Sequence, residues 1–232
     1  MNLSSRSLIP SIDSRVDVPV EKDEAVEKAL AQYMDKSPVT EHMPPDDLYA
    51  HYASLNPPVL APAQIDLVLQ HLIRVPHEYR WSPSVYASVL IQRSYDAGHN
   101  GFVLHTQNIL LDEVCSRLHG KEHALLNMTV YGDTGDETGK KSTWCSFMQE
   151  GNAGDEYFMF AENATLLITG RLGDDPLNHS WGILFKTMSR ATFDQVRKSL
   201  GAYYNVNDPH LMLLSPKGKI IDEHPEPWRP ME

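Results

Sequence analysis

Short apolar runs alternate with turn-rich gaps through residues 125–186. Five runs read as strands: 125–131, 142–149, 156–161, 164–169 and 179–186. The gaps between them are GDTGDETGKK, EGNAGD, EN and GRLGDDPLN. Gly, Asn and Asp tolerate the tight and left-handed conformations that reverse a chain. Gaps this short favour antiparallel pairing, because a parallel neighbour needs a crossover of a dozen or more residues. The alternation is incomplete. In 142–149, Thr143, Cys145 and Phe147 face one way, and Trp144, Ser146 and Met148 the other. Both faces of the sheet therefore read as partly covered.

Helical spacing governs the first half. Ala25, Val26, Ala29, Leu30, Tyr33 and Met34 fall on one helical stripe over 21–34. Helices are also expected over 46–54, 63–74, 82–95 and 104–118, that over 82–95 starting with Ser82 as N-cap and Pro83 in the first turn. A last helix covers 190–200, before Gly201. The runs 210–214 and 219–222 flank Ser-Pro-Lys-Gly, a hairpin turn. No internal repeat stands out.

Helices first and strands afterwards give an α+β fold, with N-terminal helices packed on a C-terminal antiparallel β-meander of about five to seven strands. The expected organisation is a disordered leader over 1–20, a helical arm and Pro-rich linker over 21–62, a single α+β domain over 63–222, and an extended tail over 223–232.

Charge narrows the function. The 232-residue chain has a formal net charge of −11. That disfavours nucleic acid, whose binding needs a basic face, and anionic membrane surfaces. No run approaches the ~18 apolar residues of a membrane span. The Ser-rich start, MNLSSRSLIPSIDS, lacks the apolar core of a signal peptide. Two cysteines, Cys115 and Cys145, without C-x-x-C spacing, fit a reducing compartment. A cytoplasmic location is expected, the alternative being export from a bacterium without a cleaved signal peptide.

Strong catalytic signatures are missing: no phosphate loop, no dinucleotide-binding glycine motif, no H-E-x-x-H and no G-x-S-x-G. No cofactor is expected. The loop GDTGDETG intersperses Asp133, Asp136 and Glu137 with glycine, but lacks the register of a calcium loop. His119 and His123 are separated by Gly120, and no metal site is expected. Cys145 in a strand-like run, with His179 as base and Asp194 to orient it, is the best catalytic constellation, since a thiol nucleophile needs a base within reach. Asp174, Asp175 and Asn178 are alternative orienting groups. Cys115 falls near the end of an expected helix, and Asn100 occupies a glycine-flanked helix start where a thiol enzyme would carry cysteine.

Two functions follow. The preferred one is a non-catalytic, acidic protein-binding protein, such as a bacterial effector or inhibitor, taking a partner with a basic surface. Its contact residues would include Tyr49, Tyr52, Tyr79, Trp81 and Trp228, with Glu223, Glu226 and Glu232 facing the basic partner. The alternative is a thiol-dependent amide hydrolase or deamidase using Cys145 and His179.

Overall fold

The computed structural model describes residues 23–40, 43–74, 81–107, 109–200 and 209–224. Four helices come first: α1 (Glu24–Thr40), α2 (Pro45–Ser54), α3 (Pro62–Leu72) and α4 (Ser82–Asp96). Strands β1 (Gly101–His105), β2 (Leu126–Tyr131), β3 (Cys145–Glu150), β4 (Thr165–Ile168) and β5 (Leu184–Thr187) follow. Helix α5 (Arg190–Leu200) then leads to β6 (His210–Leu214) and β7 (Ile220–His224).

The seven strands form one sheet in sequence order. All neighbours from β1 to β6 are parallel, and only β6–β7 is antiparallel. The expected C-terminal antiparallel meander is therefore incorrect: α5 falls between β5 and β6, where the run 190–200 placed a helix, but the strands on either side of it pair parallel. The physical reason lies in the gaps. Leu126 pairs with Cys145, Ser146 with Thr165, and Thr165 with Leu184, a constant step of 19 residues. Each step is one full coil, long enough to return the chain parallel to itself. The arrangement is a short solenoid, and it contains the internal repeat that the sequence reading missed.

The run 156–161 is not a strand but part of each coil's return path. Left-handed residues recur there two apart: Glu137, Gly139 and Lys141 in one coil, Glu156, Phe158 and Phe160 in the next, Asp175, Leu177 and His179 in a third. The alternation turns successive N–H groups up and down the stack. Glu137 N–H donates to Asp155 O, Gly139 N–H to Val114 O, and Lys141 N–H to Met159 O. A second hydrogen-bonded wall results without β geometry. Residues 112–118 belong to the same wall, with Glu113, Cys115 and Arg117 left-handed. The helix expected over 104–118 does not form.

Inside the coils, side chains stack in columns. Phe102, Met128, Phe147, Leu166, Phe185 and Leu211 are successive register partners and are all buried. Burial of each such side chain contributes about 1.5–3 kcal/mol relative to exposure. Phe147, Tyr157 and Phe158 meet edge to face across the interior.

A parallel stack leaves open edges, and terminal elements cover them. At β1, Asp66 Oδ1 accepts the His105 N–H at 2.8 Å, and Gln70 donates to the His105 carbonyl. Gln92 on α4 both accepts from His119 N–H at 2.8 Å and donates to His119 O at 3.1 Å. At the far end, Gln195 on α5 donates to the carbonyls of Leu172 and Gly173, and Thr192 to Gly170.

The helices join the same core. Asp23 caps α1 by accepting the N–H groups of Ala25 and Val26. Ser82 does not serve as the N-cap of α4, a position held by Trp81. Its hydroxyl instead hydrogen-bonds Tyr33 at 3.0 Å and Tyr52 at 2.9 Å, tying α1, α2 and α4 together. The leader over 1–20 and most of the tail lie outside the described residues, and residues 223 and 224 belong to β7.

Candidate functional site

Each coil turns out of its strand through Gly-x-x-Gly-Asp followed by an acid. The segment is GDTGDE at 132–137, GNAGDE at 151–156 and GRLGDD at 170–175. The Asp of one coil caps the next. Asp112 Oδ1 accepts Asp136 N–H at 3.0 Å, Asp136 Oδ1 accepts Asp155 N–H at 2.8 Å, and Asp155 Oδ1 accepts Asp174 N–H at 2.7 Å. Glycine precedes each of the last three because a Cβ at Gly135, Gly154 or Gly173 would lie 1.9–2.2 Å from the carboxylate below. A parallel column runs beside it: Asp133 Oδ1 accepts Asn152 N–H, and Asn152 Oδ1 accepts Arg171 N–H.

Asp136, Asp155 and Asp174 are exposed. Asp136 Oδ1 and Asp155 Oδ1 each accept the backbone N–H of the next aspartate, and Asp174 is held by its own N–H, so the three form a ridge of charge about 4.8 Å from coil to coil, the spacing of hydrogen-bonded strands. Glu137, Glu156 and Asp175, next in sequence, form a second acidic column on the left-handed positions.

That second column begins in a buried ion cluster. The Glu113 side chain is 2% exposed and pairs with Arg117, whose Nη1 is 2.5 Å and Nη2 3.2 Å from its carboxylate oxygens. Arg117 Nε also reaches Asp46 on α2 at 2.6 Å, and Lys141 Nζ reaches the other Asp46 oxygen at 2.6 Å. Lys140 lies 2.7 Å from Glu137 and 3.8 Å from Glu156. Burial first, and then the neighbouring Glu137 carboxyl, pushes the Glu113 carboxyl up to about 7, against the pull of Arg117. Partial burial acts to raise Glu137 too, but the bonds from Glu113 and Lys140 outweigh it and hold Glu137 below its usual range. Asp46 is likewise held low: its burial is outweighed by Lys141 and Arg117.

The residues expected to form a thiol site are placed apart. Cys145 starts β3 with its side chain inward, 2% exposed, and burial pushes its thiol up to about 12. His179 sits on the coil exterior, its ring stacked on Phe160 at 5.1 Å. Asp194 lies on α5 beside Arg190 and Arg197. Among the described residues, no hydrogen bond links Cys145, His179 and Asp194. Asp174 belongs to the acidic ridge and Asp175 to the column beside it, and the Asn178 carbonyl accepts the Phe160 N–H. Cys115 is buried inside the first coil, and burial raises its thiol as well.

The expected contact aromatics divide. Tyr52 is fully buried, Tyr49 and Trp81 are partly buried against the core, and Tyr79 and Trp228 lie outside the described residues. Glu223 pairs with His210 across β6 and β7, while Glu226 and Glu232 lie outside the described residues. Exposed aromatics stand elsewhere, at Phe160 and Trp181 on the coil exterior. Among the described residues, no three His, Cys, Asp or Glu side chains gather as a metal site, and no helix is long and apolar enough to cross a membrane.

The acidic ridge was missed as a unit, although its signal is written in the chain as three glycine-aspartate segments spaced 19 apart. Compared with known proteins, the chain matches no family model, no curated protein and no solved structure.

Proposed function

We propose that this protein is a non-catalytic binding protein whose acidic coil ridge takes the basic surface of a protein partner. The observation that carries the reading is the column Asp136, Asp155 and Asp174, in which the Asp136 and Asp155 carboxylates each accept the backbone N–H of the next aspartate. Solenoids present extended, regular surfaces suited to protein recognition. Positioned charge speeds encounter and selects a partner of opposite sign. The net charge of −11 extends the same field beyond the ridge. We place the activity in the cytoplasm, on the two free thiols.

The test is isosteric. Asn152 already accepts a backbone N–H in the neighbouring column, so Asp136→Asn, Asp155→Asn and Asp174→Asn together remove charge while keeping the ladder. Binding of a labelled Lys/Arg-rich helical peptide, measured by fluorescence anisotropy at two salt concentrations, should weaken at least about tenfold in the triple variant. Equal binding by wild type and the triple variant refutes the reading.

A further inference from the structure

Resting on the proposed binding of a basic protein, we infer that Glu162, framed by Phe160, His179 and Trp181 on the outer wall of the last coils, receives an arginine side chain of that partner. Positions 143, 162 and 181 are successive parallel bridge partners, so Glu162 and Trp181 stand side by side, about 4.8 Å apart along the stack. Two residues earlier on the same coils, the Phe160 and His179 rings lie face to face, 5.1 Å between centroids and 6° from parallel. Ala161, between Phe160 and Glu162, is fully buried, which leaves its two neighbours on the outer face. Phe160 is 41% exposed and Trp181 43%. One acid and three rings thus form a two-by-two platform.

The backbone fixes that platform before any partner arrives, which spares the cost of ordering it on binding. Glu162 N–H donates to Ser142 O at 3.0 Å, and its carbonyl accepts Trp144 N–H at 3.1 Å. Trp181 N–H donates to Ala161 O at 3.1 Å, and its carbonyl accepts Asn163 N–H at 3.0 Å. The Ser180 hydroxyl ties the same two coils, donating to Phe158 O and accepting Ala161 N–H.

Charge selects the occupant. Among the described residues, the Glu162 carboxylate makes no hydrogen bond or ion pair, and His119, farther up the bridge column, feels only its field. The positions one coil earlier are already engaged: Lys141 Nζ with Asp46 at 2.6 Å, and the Thr143 hydroxyl with His119 Nδ1 at 3.1 Å. An unbalanced carboxylate among exposed rings suits a cation that can also lie on a ring face. Guanidinium does both, pairing with a carboxylate through two N–H groups and stacking flat on an aromatic ring, whereas an ammonium is compact and strongly hydrated. Glu156 and Asp175, four residues upstream on the same coils, continue the acidic surface toward the ridge.

Fluorescence anisotropy of the full chain with two labelled peptides, identical except that one carries arginine where the other carries lysine, reads the site. Wild type should bind the arginine peptide about fivefold more tightly than the lysine peptide. Trp181→Leu should erase that preference, and Glu162→Gln should weaken the arginine peptide about threefold or more. Equal affinity of wild type for the two peptides overturns the inference, as does an arginine preference that survives Trp181→Leu. Should Trp181→Leu not fold, Glu162→Gln decides, because that carboxylate has no partner in the fold: unchanged affinity for the arginine peptide overturns the inference. The triple ridge variant separates the two readings. If it loses affinity for both peptides alike while Trp181→Leu keeps the arginine preference, the ridge stands and the platform falls. If it binds both as wild type does while Trp181→Leu loses the preference, the platform stands and the ridge falls. Binding of neither peptide by wild type overturns both.

Discussion

Asp136 and Asp155 stand one coil apart, and the Asp155 N–H is bound by Asp136 Oδ1 at 2.8 Å. The side chain of one repeat completes the backbone of the next, which sets the coils in register. Asp136→Ala should therefore lower stability by about 1 kcal/mol, while Asp136→Asn should lie within about 0.5 kcal/mol of wild type. Urea unfolding of both variants checks this. Equal losses would show that the bond does not hold the register.

Gly154 occupies the space that makes this contact possible. An added Cβ would come 2.2 Å from Asp136 Oδ1 and 2.7 Å from the Gly135 carbonyl carbon. The backbone partner cannot swing aside as a flexible side chain would. Gly154→Ala should cost about 2–3 kcal/mol, seen as a drop in Tm of several degrees. Gly98→Ala is a useful contrast, since its Cβ meets nothing within 4 Å and only its positive φ resists the change.

Ser82 bonds two fully buried tyrosines, Tyr33 and Tyr52. Ser82→Ala strips both hydroxyls of a partner at once. A loss of about 1–3 kcal/mol is expected in chemical denaturation, with little change in the m-value. No measurable loss would mean that other groups take over both hydroxyls.

Both thiols are enclosed, and burial raises both, Cys145 to about 12. Only the thiolate alkylates. Iodoacetamide at pH 8 should leave Cys115 and Cys145 unmodified in native protein and label both after denaturation, by intact-mass spectrometry. Rapid native labelling of Cys145, suppressed by His179→Ala, would instead revive a thiol enzyme.

On the acid side, Asp46 supplies its own dependence. Its folded value is depressed below 3.8, so its contribution is present above that value and lost as pH falls through the depressed one. Asp46→Asn should flatten the acid limb of a plot of thermal stability against pH. An unchanged limb would show that the contact adds nothing to folding.

The early helices were legible because their signals are local. Pro62 opens α3, and Ile65, Val68, Leu69 and Leu72 recur on its buried face. The β6–β7 hairpin was legible for the same reason, with its turn residues between two apolar runs. The spacing of Ile109, Leu110, Leu111, Val114 and Leu118 imitates a helix, yet Glu113 and Arg117 send their N–H groups to Asp136 and Lys140 on the next coil. Local pattern cannot report a bond to a residue more than twenty positions away. The repeat is present at 132–137, 151–156 and 170–175, but segments rich in Gly and Asp carry the same local signal as hairpin turns.

By itself, the sequence determined the places of the five helices that form, the apolar inventory of the core, the acidic excess and the spacing of the glycine-aspartate segments, all properties carried by neighbouring residues. Tertiary structure alone decided that the strands run parallel, that Cys145 turns inward while His179 stays outside, and that Arg117 reaches Asp46 of α2. Those outcomes depend on where one coil lands on the next, and that is settled by backbone bonds and packing between residues far apart along the chain.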